Sequence, residues 1–153
     1  MLNATINLTV AVRRFSLVTA LLLLAGCGGS THPKTYPVRG ELFVQGQPAA
    51  GARVILHPEV AGDQTLWPHG FPQAVVNPEG KFQFGCFADA DGAPAGNYKL
   101  LARWDEDNGG ATEDSTRPPP KNRLADSFFD AARSPWSVTV EPKTNQLTRF
   151  EVP

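Results

Sequence analysis

The sequence predicts an all-β domain, an antiparallel sandwich of seven strands that is immunoglobulin-like in size. The 14 glycines and 14 prolines among 153 residues favour short strands joined by turns over long helices. Apolar and polar residues alternate in short segments throughout the chain after residue 36. Seven such segments within roughly 115 residues match the strand number and spacing of an immunoglobulin-like sandwich.

The first four predicted strands lie between residues 36 and 84. Segments 38–45 and 52–57 alternate apolar and polar side chains, with turn residues between them. Segment 73–76 leads into Asn77-Pro78-Glu79-Gly80, a turn with proline at its first central position and glycine at its end, and segment 81–84 follows. The sequence therefore predicts that the third and fourth strands form a hairpin.

Three further strands are predicted at segments 98–104, 136–140 and 146–152. Their alternation, with that of segment 81–84, directs four large aromatic side chains inward: Phe82, Phe84, Trp104 and Trp136. The stretch 105–133 is the least strand-like and is predicted to be a long loop that is functional or mobile. Its prolines, Pro118 to Pro120, favour an extended backbone outside the sheets.

Residues 1–26 are predicted to be an export signal. Arg13 and Arg14 precede an apolar run, 15–25, and small residues follow at once. The run has about 11 residues, whereas a membrane-spanning helix needs roughly 17 to 25. We therefore expect a cleaved signal peptide on the general secretory route.

The sequence Leu24-Ala25-Gly26-Cys27 resembles the bacterial lipobox. The resemblance implies that Cys27 becomes the first mature residue and carries lipid, so that the membrane is a partner through a covalent anchor on the periplasmic side. Gly28 follows the cysteine, and by the same resemblance this favours the outer over the inner membrane. Residues 27–35 are predicted to be the lipidated cysteine and a flexible tether, and residues 36–153 the domain.

Cys86 is the second of two cysteines. It has no disulfide partner within the chain once Cys27 carries lipid. Alternation places it on the same face as Phe82 and Phe84, which predicts a small buried side chain. A reactive thiol is the alternative.

The mature chain resembles the carboxypeptidase regulatory-like domain, also called transthyretin-like or prealbumin-like. Four segments carry the likeness: YPVRG at 36–40, GQPAAGARV at 46–54, PEGKF at 78–82 and DGAPAGNY at 91–98. It is similar in particular to small lipoproteins of planctomycete-type bacteria that carry one such domain after a lipobox. The resemblance implies a seven-strand, prealbumin-like sandwich without catalytic residues.

No catalytic or cofactor motif is present in the sequence. The histidines, His32, His57 and His69, do not have the spacing of a zinc pair. The net charge of −1 argues against nucleic-acid binding. We therefore expect a protein without cofactor or catalytic activity.

Two surfaces are candidates for contact. Trp67, His69 and Phe71 lie in one loop and could stack on a sugar or a partner protein, or fold back as a lid over the core. Asp89, Asp91 and Asp107 could supply oxygens to calcium, although no strict calcium-loop spacing is present, and a solvated acidic end is the alternative.

These observations predict a monomeric, lipid-anchored envelope protein whose domain binds an envelope protein or glycan, or has a structural role. A small hydrolase with a site built from dispersed residues is one alternative. A calcium-stabilised adhesion module is another.

Overall fold

The computed structural model describes residues 32–60, 62, 66–106 and 120–153, which form an all-β unit. The predicted fold class is thereby confirmed. Eleven strands occur in these residues: β1 Thr35–Tyr36, β2 Val38–Val44, β3 Gln47–Pro48, β4 Arg53–Pro58, β5 Gln73–Val75, β6 Lys81–Gln83, β7 Ala93–Pro94, β8 Gly96–Arg103, β9 Ser137–Val140, β10 Asn145–Gln146 and β11 Phe150–Val152.

The described residues contain eleven strands, whereas the sequence predicts seven. All seven predicted segments contain strand residues, but the last one includes β11 and the second residue of β10, and β1, β3 and β7 are additional strands. Strands β1, β3, β7 and β10 have two residues each, which is too short to show alternation. The strands are also not all antiparallel, because β2 pairs in parallel with β10 and β11.

The strands form three sheets. The order in the four-stranded sheet is β5-β4-β8-β9, and β2 pairs with β3, β6, β10 and β11 in the five-stranded sheet. A third sheet consists of β1 and β7. Side chains from both larger sheets share one apolar core, in which the largest fully buried residues are Phe84, Leu42, Leu56, Leu100, Val38, Val54, Val76, Val140 and Pro72.

The four aromatic side chains predicted to face inward differ in burial. Phe82 and Phe84 are buried, as predicted. Trp104 and Trp136 are only partly buried and pack against the margin of the core. The Trp104 indole Nε1 donates a hydrogen bond to the Ala50 carbonyl oxygen at 3.0 Å, which holds the ring at the end of its sheet.

The predicted hairpin of β5 and β6 is wrong. The turn itself forms, since Asn77 Oδ1 accepts hydrogen bonds from the amides of Glu79 and Lys81. However, β5 pairs with β4 in one sheet and β6 pairs with β2 in the other. The turn therefore carries the chain between the sheets, and a single bridge, Gln73 to Gly85, links the two segments.

The segment after residue 119 covers the outer face of β8. It contains a 3₁₀-helix, Asp126–Phe129, that packs on β8. Leu101 points away from the shared core but is buried, and Leu124 enters the core. Part of the predicted long loop is thus ordered, while residues 107–119 lie outside the described residues.

The predicted signal peptide, lipobox, Cys27 and most of the tether lie outside the described residues. β1 begins at Thr35, the last residue of the predicted tether. In the part of the chain that the structure describes, no helix has the length and apolar character needed to cross a membrane.

Candidate functional site

Five aromatic rings follow one another in contact along one surface of the domain, and we call them the aromatic row. Its members, in spatial order, are His32, Phe87, Trp67, Phe71 and His57. Successive ring centroids are separated by 4.2, 6.4, 5.5 and 4.9 Å. The first two pairs are stacked and the last two meet edge to face, the arrangements that aromatic pairs prefer.

Local backbone structure positions the rings. A tight turn spans Trp67 to Gly70, where the Gly70 amide donates to the Trp67 carbonyl oxygen at 3.0 Å and Gly70 has φ +86°. Phe71 then precedes the fully buried Pro72, which leads into β5. Phe87 follows the buried Cys86, and the Asp91 carboxylate accepts hydrogen bonds from the backbone amides of both residues.

The predicted contact loop is therefore divided. Trp67 and Phe71 lie in the row and are partly buried, with Trp67 packed against the core. His69 is exposed and belongs to the neighbouring cleft. The loop folds back onto the core through its tryptophan while it keeps part of each ring accessible.

An open cleft of about 840 Å³ lies where β5 and β6 diverge into different sheets. We call it the polar cleft. The residues that line it with polar or aromatic side chains are Arg53, His69, Gln73, Gln83, Phe87 and Asp89. Phe87 belongs to both the cleft and the aromatic row, so the two surfaces are continuous.

The polar cleft contains the guanidinium group of Arg53, for which the described part of the chain supplies no carboxylate partner. Arg53 lies directly opposite Arg103 in the register of β4 and β8. Arg103 is paired with Asp105, at 2.7 Å from Nε to Oδ1, whereas Arg53 has no ion pair with any described residue. Two like charges on facing strand positions repel each other, so an oxygen-rich ligand beside Arg53 would relieve an unfavourable interaction.

Gln83 is anchored in one orientation at the cleft wall. Its Nε2 donates to the Ala90 carbonyl oxygen at 2.8 Å, and its Oε1 accepts from Arg39 Nε at 3.1 Å. Because the amide is held at both ends, this wall of the cleft is formed in advance of any ligand.

Cys86 behaves as the buried small side chain that the strand pattern predicts. It is a free, buried thiol. Burial, and secondarily the negative charge of Asp91, raise the pKa of Cys86 to about 12. The thiolate is the reactive form, so the raised pKa argues against the reactive-thiol alternative.

The three candidate calcium ligands do not come together in the described residues. Both carboxylate oxygens of Asp91 accept backbone amide hydrogens, Asp89 lies at the polar cleft, and Asp107 is outside the described part. Among the residues with described positions, no three His, Cys, Asp or Glu side chains are placed to hold a metal ion.

The dispersed-residue hydrolase requires a nucleophile in contact with a base. The hydroxyl of Ser137 contacts a basic group, Lys99 Nζ, at 2.8 Å. The lysine is the donor in this contact, and the Glu59 carboxylate lies 4.0 Å from the same Nζ. Because the ammonium group donates to the hydroxyl and does not accept its proton, the contact does not activate Ser137 as a nucleophile.

Sequence reasoning did not identify most members of these two surfaces as contact residues, Gln73 and Gln83 among them. His32 and His57 were considered only as metal ligands, and Phe87 and Arg53 not at all. Phe87 carried a detectable signal, because it breaks the alternation that buries Phe84 and Cys86. The position of Arg53 depends on a pairing between distant strands, which no local pattern reveals.

Comparison with known proteins gives no family assignment. No family model and no curated protein matches the chain. A solved structure with some similarity is a 9R-lipoxygenase from Cyanothece PCC8801, with 14% sequence identity and a TM-score of 0.42. The match covers 92% of this chain and 20% of that enzyme, and at this TM-score it carries no argument about fold or function.

Proposed function

We propose that the chain is a lipid-anchored, non-catalytic binding module of the cell envelope. In this proposal Cys27 carries the lipid on the periplasmic side of the outer membrane, and the monomeric domain binds an envelope glycan in the polar cleft. The observation that carries the binding function is that Arg53, which forms no ion pair with a described residue, lies in a cleft that also presents an aromatic ring, Phe87.

The chemistry of the polar cleft fits a ligand rich in hydroxyl groups. Guanidinium, amide and carboxylate groups, here Arg53, Gln73 and Asp89, can donate to and accept from neighbouring hydroxyls. Phe87 adds an aromatic surface on which the apolar side of a sugar ring can stack. Both positive and negative charges line the cleft, which favours a neutral ligand over a polyanion.

The fold belongs to the proposal as well. We propose the seven-strand, prealbumin-like arrangement of the carboxypeptidase regulatory-like domain. Its support is that seven strands have three residues or more and lie on the predicted segments. A small hydrolase and a calcium-stabilised adhesion module are less favoured, since no contact among the described residues activates a nucleophile or gathers acidic ligands.

Lipid attachment at Cys27 can be tested by substitution. Cys27→Ser should abolish incorporation of labelled palmitate and leave the precursor uncleaved, because the lipid is carried on the thiol. Cys86→Ser is the matched control and should be labelled as strongly as the natural protein, since its buried thiol is not the attachment point. Palmitate labelling that persists in Cys27→Ser would contradict the anchor.

Binding at the polar cleft can be tested with envelope polysaccharide and soluble peptidoglycan fragments. Arg53→Ala should lower the affinity by about tenfold or more, because a hydrogen bond from a charged group contributes about 1.5–3 kcal/mol. Isothermal titration calorimetry on the lipidated protein in detergent measures the change. Because the Arg53 side chain is exposed, its truncation should leave the domain folded, so unfolding would not account for a loss of affinity.

Arg133→Ala is the matched control for the removal of one guanidinium group. Arg133 pairs with Asp130 beside the 3₁₀-helix and does not line the polar cleft. Equal affinity in all three proteins would refute glycan binding in the polar cleft. If the domain instead bound an envelope protein and no glycan, the partner would be that protein and the glycan proposal would be wrong.

A further inference from the structure

From the exposed apolar side chains around the aromatic row, we propose that this surface docks on the headgroup region of the membrane that holds the anchor. The inference rests on the proposed lipid attachment at Cys27 and adds a second, non-covalent contact with the same membrane. It assigns the row an orienting role that is separate from ligand binding in the polar cleft.

The first support is the distribution of exposed apolar side chains. Among the described residues, four large hydrophobic side chains are exposed: Val60, Leu66, Val75 and Phe129. Two of them, Val60 at 80% and Leu66 at 39% exposure, lie in the loop that carries Trp67 and Phe71. The loop therefore presents aliphatic groups to solvent beside partly accessible aromatic rings.

The second support is the place where the chain enters the folded unit. His32 is the first described residue, and its ring stacks on Phe87 with centroids 4.2 Å apart. His32 follows Cys27 by five positions in the sequence, since 32 − 27 = 5. Five residues span at most about 18 Å when fully extended, so a lipid on Cys27 would tether His32 close to the membrane surface.

The third support is chemical. Tryptophan and other rings with one polar edge concentrate at the boundary between hydrocarbon and water, where the apolar body and the polar edge are both satisfied. Trp67 and His32 have this character, and the exposed Lys34 follows His32 by two residues in the chain. Anionic headgroups would attract that ammonium group.

A small apolar surface suffices for this contact. The anchor makes docking intramolecular, so the membrane is present at a high effective concentration and a weak intrinsic affinity gives high occupancy. A second protein copy or a soluble ligand would need to overcome the full loss of translational freedom. The anchored membrane is therefore the occupant that the geometry favours.

Docking would also determine where the polar cleft lies. Phe87 is shared between the row and the cleft, so the cleft would open beside the membrane surface. The glycan that fits this arrangement is one that lies close to the headgroups.

The test measures the depth of Trp67 in vesicles. The lipidated full-length protein is reconstituted into vesicles of phosphatidylethanolamine and phosphatidylglycerol, with and without bromine on the upper acyl chain. Brominated lipid should quench the Trp67 contribution by about twofold or more, as expected for a ring at the interface. The fluorescence that Trp67→Phe removes is the contribution of Trp67, and the fluorescence that remains comes from Trp104 and Trp136. The substitution keeps an aromatic ring in the row.

Leu66→Ser is the variant that weakens docking without removing a buried side chain. It should reduce the quenching of Trp67 while vesicle flotation remains unchanged. Failure of the anchor and failure of docking are distinguishable, because protein without lipid does not float, whereas undocked protein floats with Trp67 unquenched. Protein that floats with Trp67 unquenched would overturn the inference. So would quenching that is equally strong in the Trp67→Phe variant. Shielding of Trp67 that appears only at high protein density on the vesicles would indicate self-association and would also overturn it.

Discussion

Replacing Phe84 by alanine should lower the free energy of unfolding by about 3 to 5 kcal/mol, a large part of the stability of a small domain. Phe84 is fully buried, and its ring meets that of Phe82 edge to face, with centroids 5.3 Å apart. Both sheets contribute to the surrounding core, so truncation leaves a cavity that neither sheet can fill alone. Urea unfolding of the domain from Ser30 onward, followed by circular dichroism, measures the loss.

Phe129→Ala is the matched control, because the same atoms are removed from a side chain that is 37% exposed. Its ring interacts with the Arg103 guanidinium at 5.7 Å, so we expect a loss below about 1 kcal/mol. Trp136→Ala should fall between the two, since Trp136 packs on Phe128 and Phe150 at the margin of the core. Equal losses at Phe84 and Phe129 would contradict the burial described here.

The class of the fold could be predicted because strand periodicity is a local property. In β8, alternation correctly predicted that Tyr98, Leu100 and Ala102 face the core. Leu101 lies on the opposite face of β8 and is nevertheless buried, because the 3₁₀-helix covers that face. A second layer supplied by a distant segment cannot be detected within one strand.

Strand pairing could not be predicted for the same reason. The turn at Asn77 has identical sequence requirements whether it closes a hairpin or carries the chain to the other sheet. What separates β5 from β6 is the preference of each for a longer partner, β4 or β2, whose residues are remote in sequence. The polar cleft exists because of this separation, so it was beyond local reasoning.

The candidate site was predicted in part. Trp67 and Phe71 stood out as aromatic residues in a loop rich in turn residues. The rings that extend them into a row, His32, Phe87 and His57, come from three other parts of the chain. Their meeting depends on the tertiary structure and on the backbone geometry that Asp91 imposes on residues 86 and 87.

Gly92→Ala should lower the free energy of unfolding by about 2 to 6 kcal/mol, as the sum of two effects of about 1–3 kcal/mol each. Gly92 has φ +95°, a conformation that side-chain-bearing residues rarely adopt. A Cβ atom at this position would lie 1.8 Å from the Tyr36 carbonyl oxygen, which is backbone and cannot rotate away. The clash falls beside the pairing of Tyr36 with Ala93 that holds β1 to β7.

Gly51→Ala separates the two effects, because Gly51 has φ +83° and no neighbouring atom within 4 Å of an added Cβ. It should show only the conformational cost, about 1 to 2 kcal/mol. Equal losses in the two variants, measured by urea unfolding, would contradict the close approach of Gly92 to Tyr36. If β1 detaches to relieve the clash, amide exchange in Thr35 and Tyr36 should accelerate before the domain unfolds. His32 would then lose its position on Phe87, so the same substitution should also weaken the quenching of Trp67 by brominated lipid.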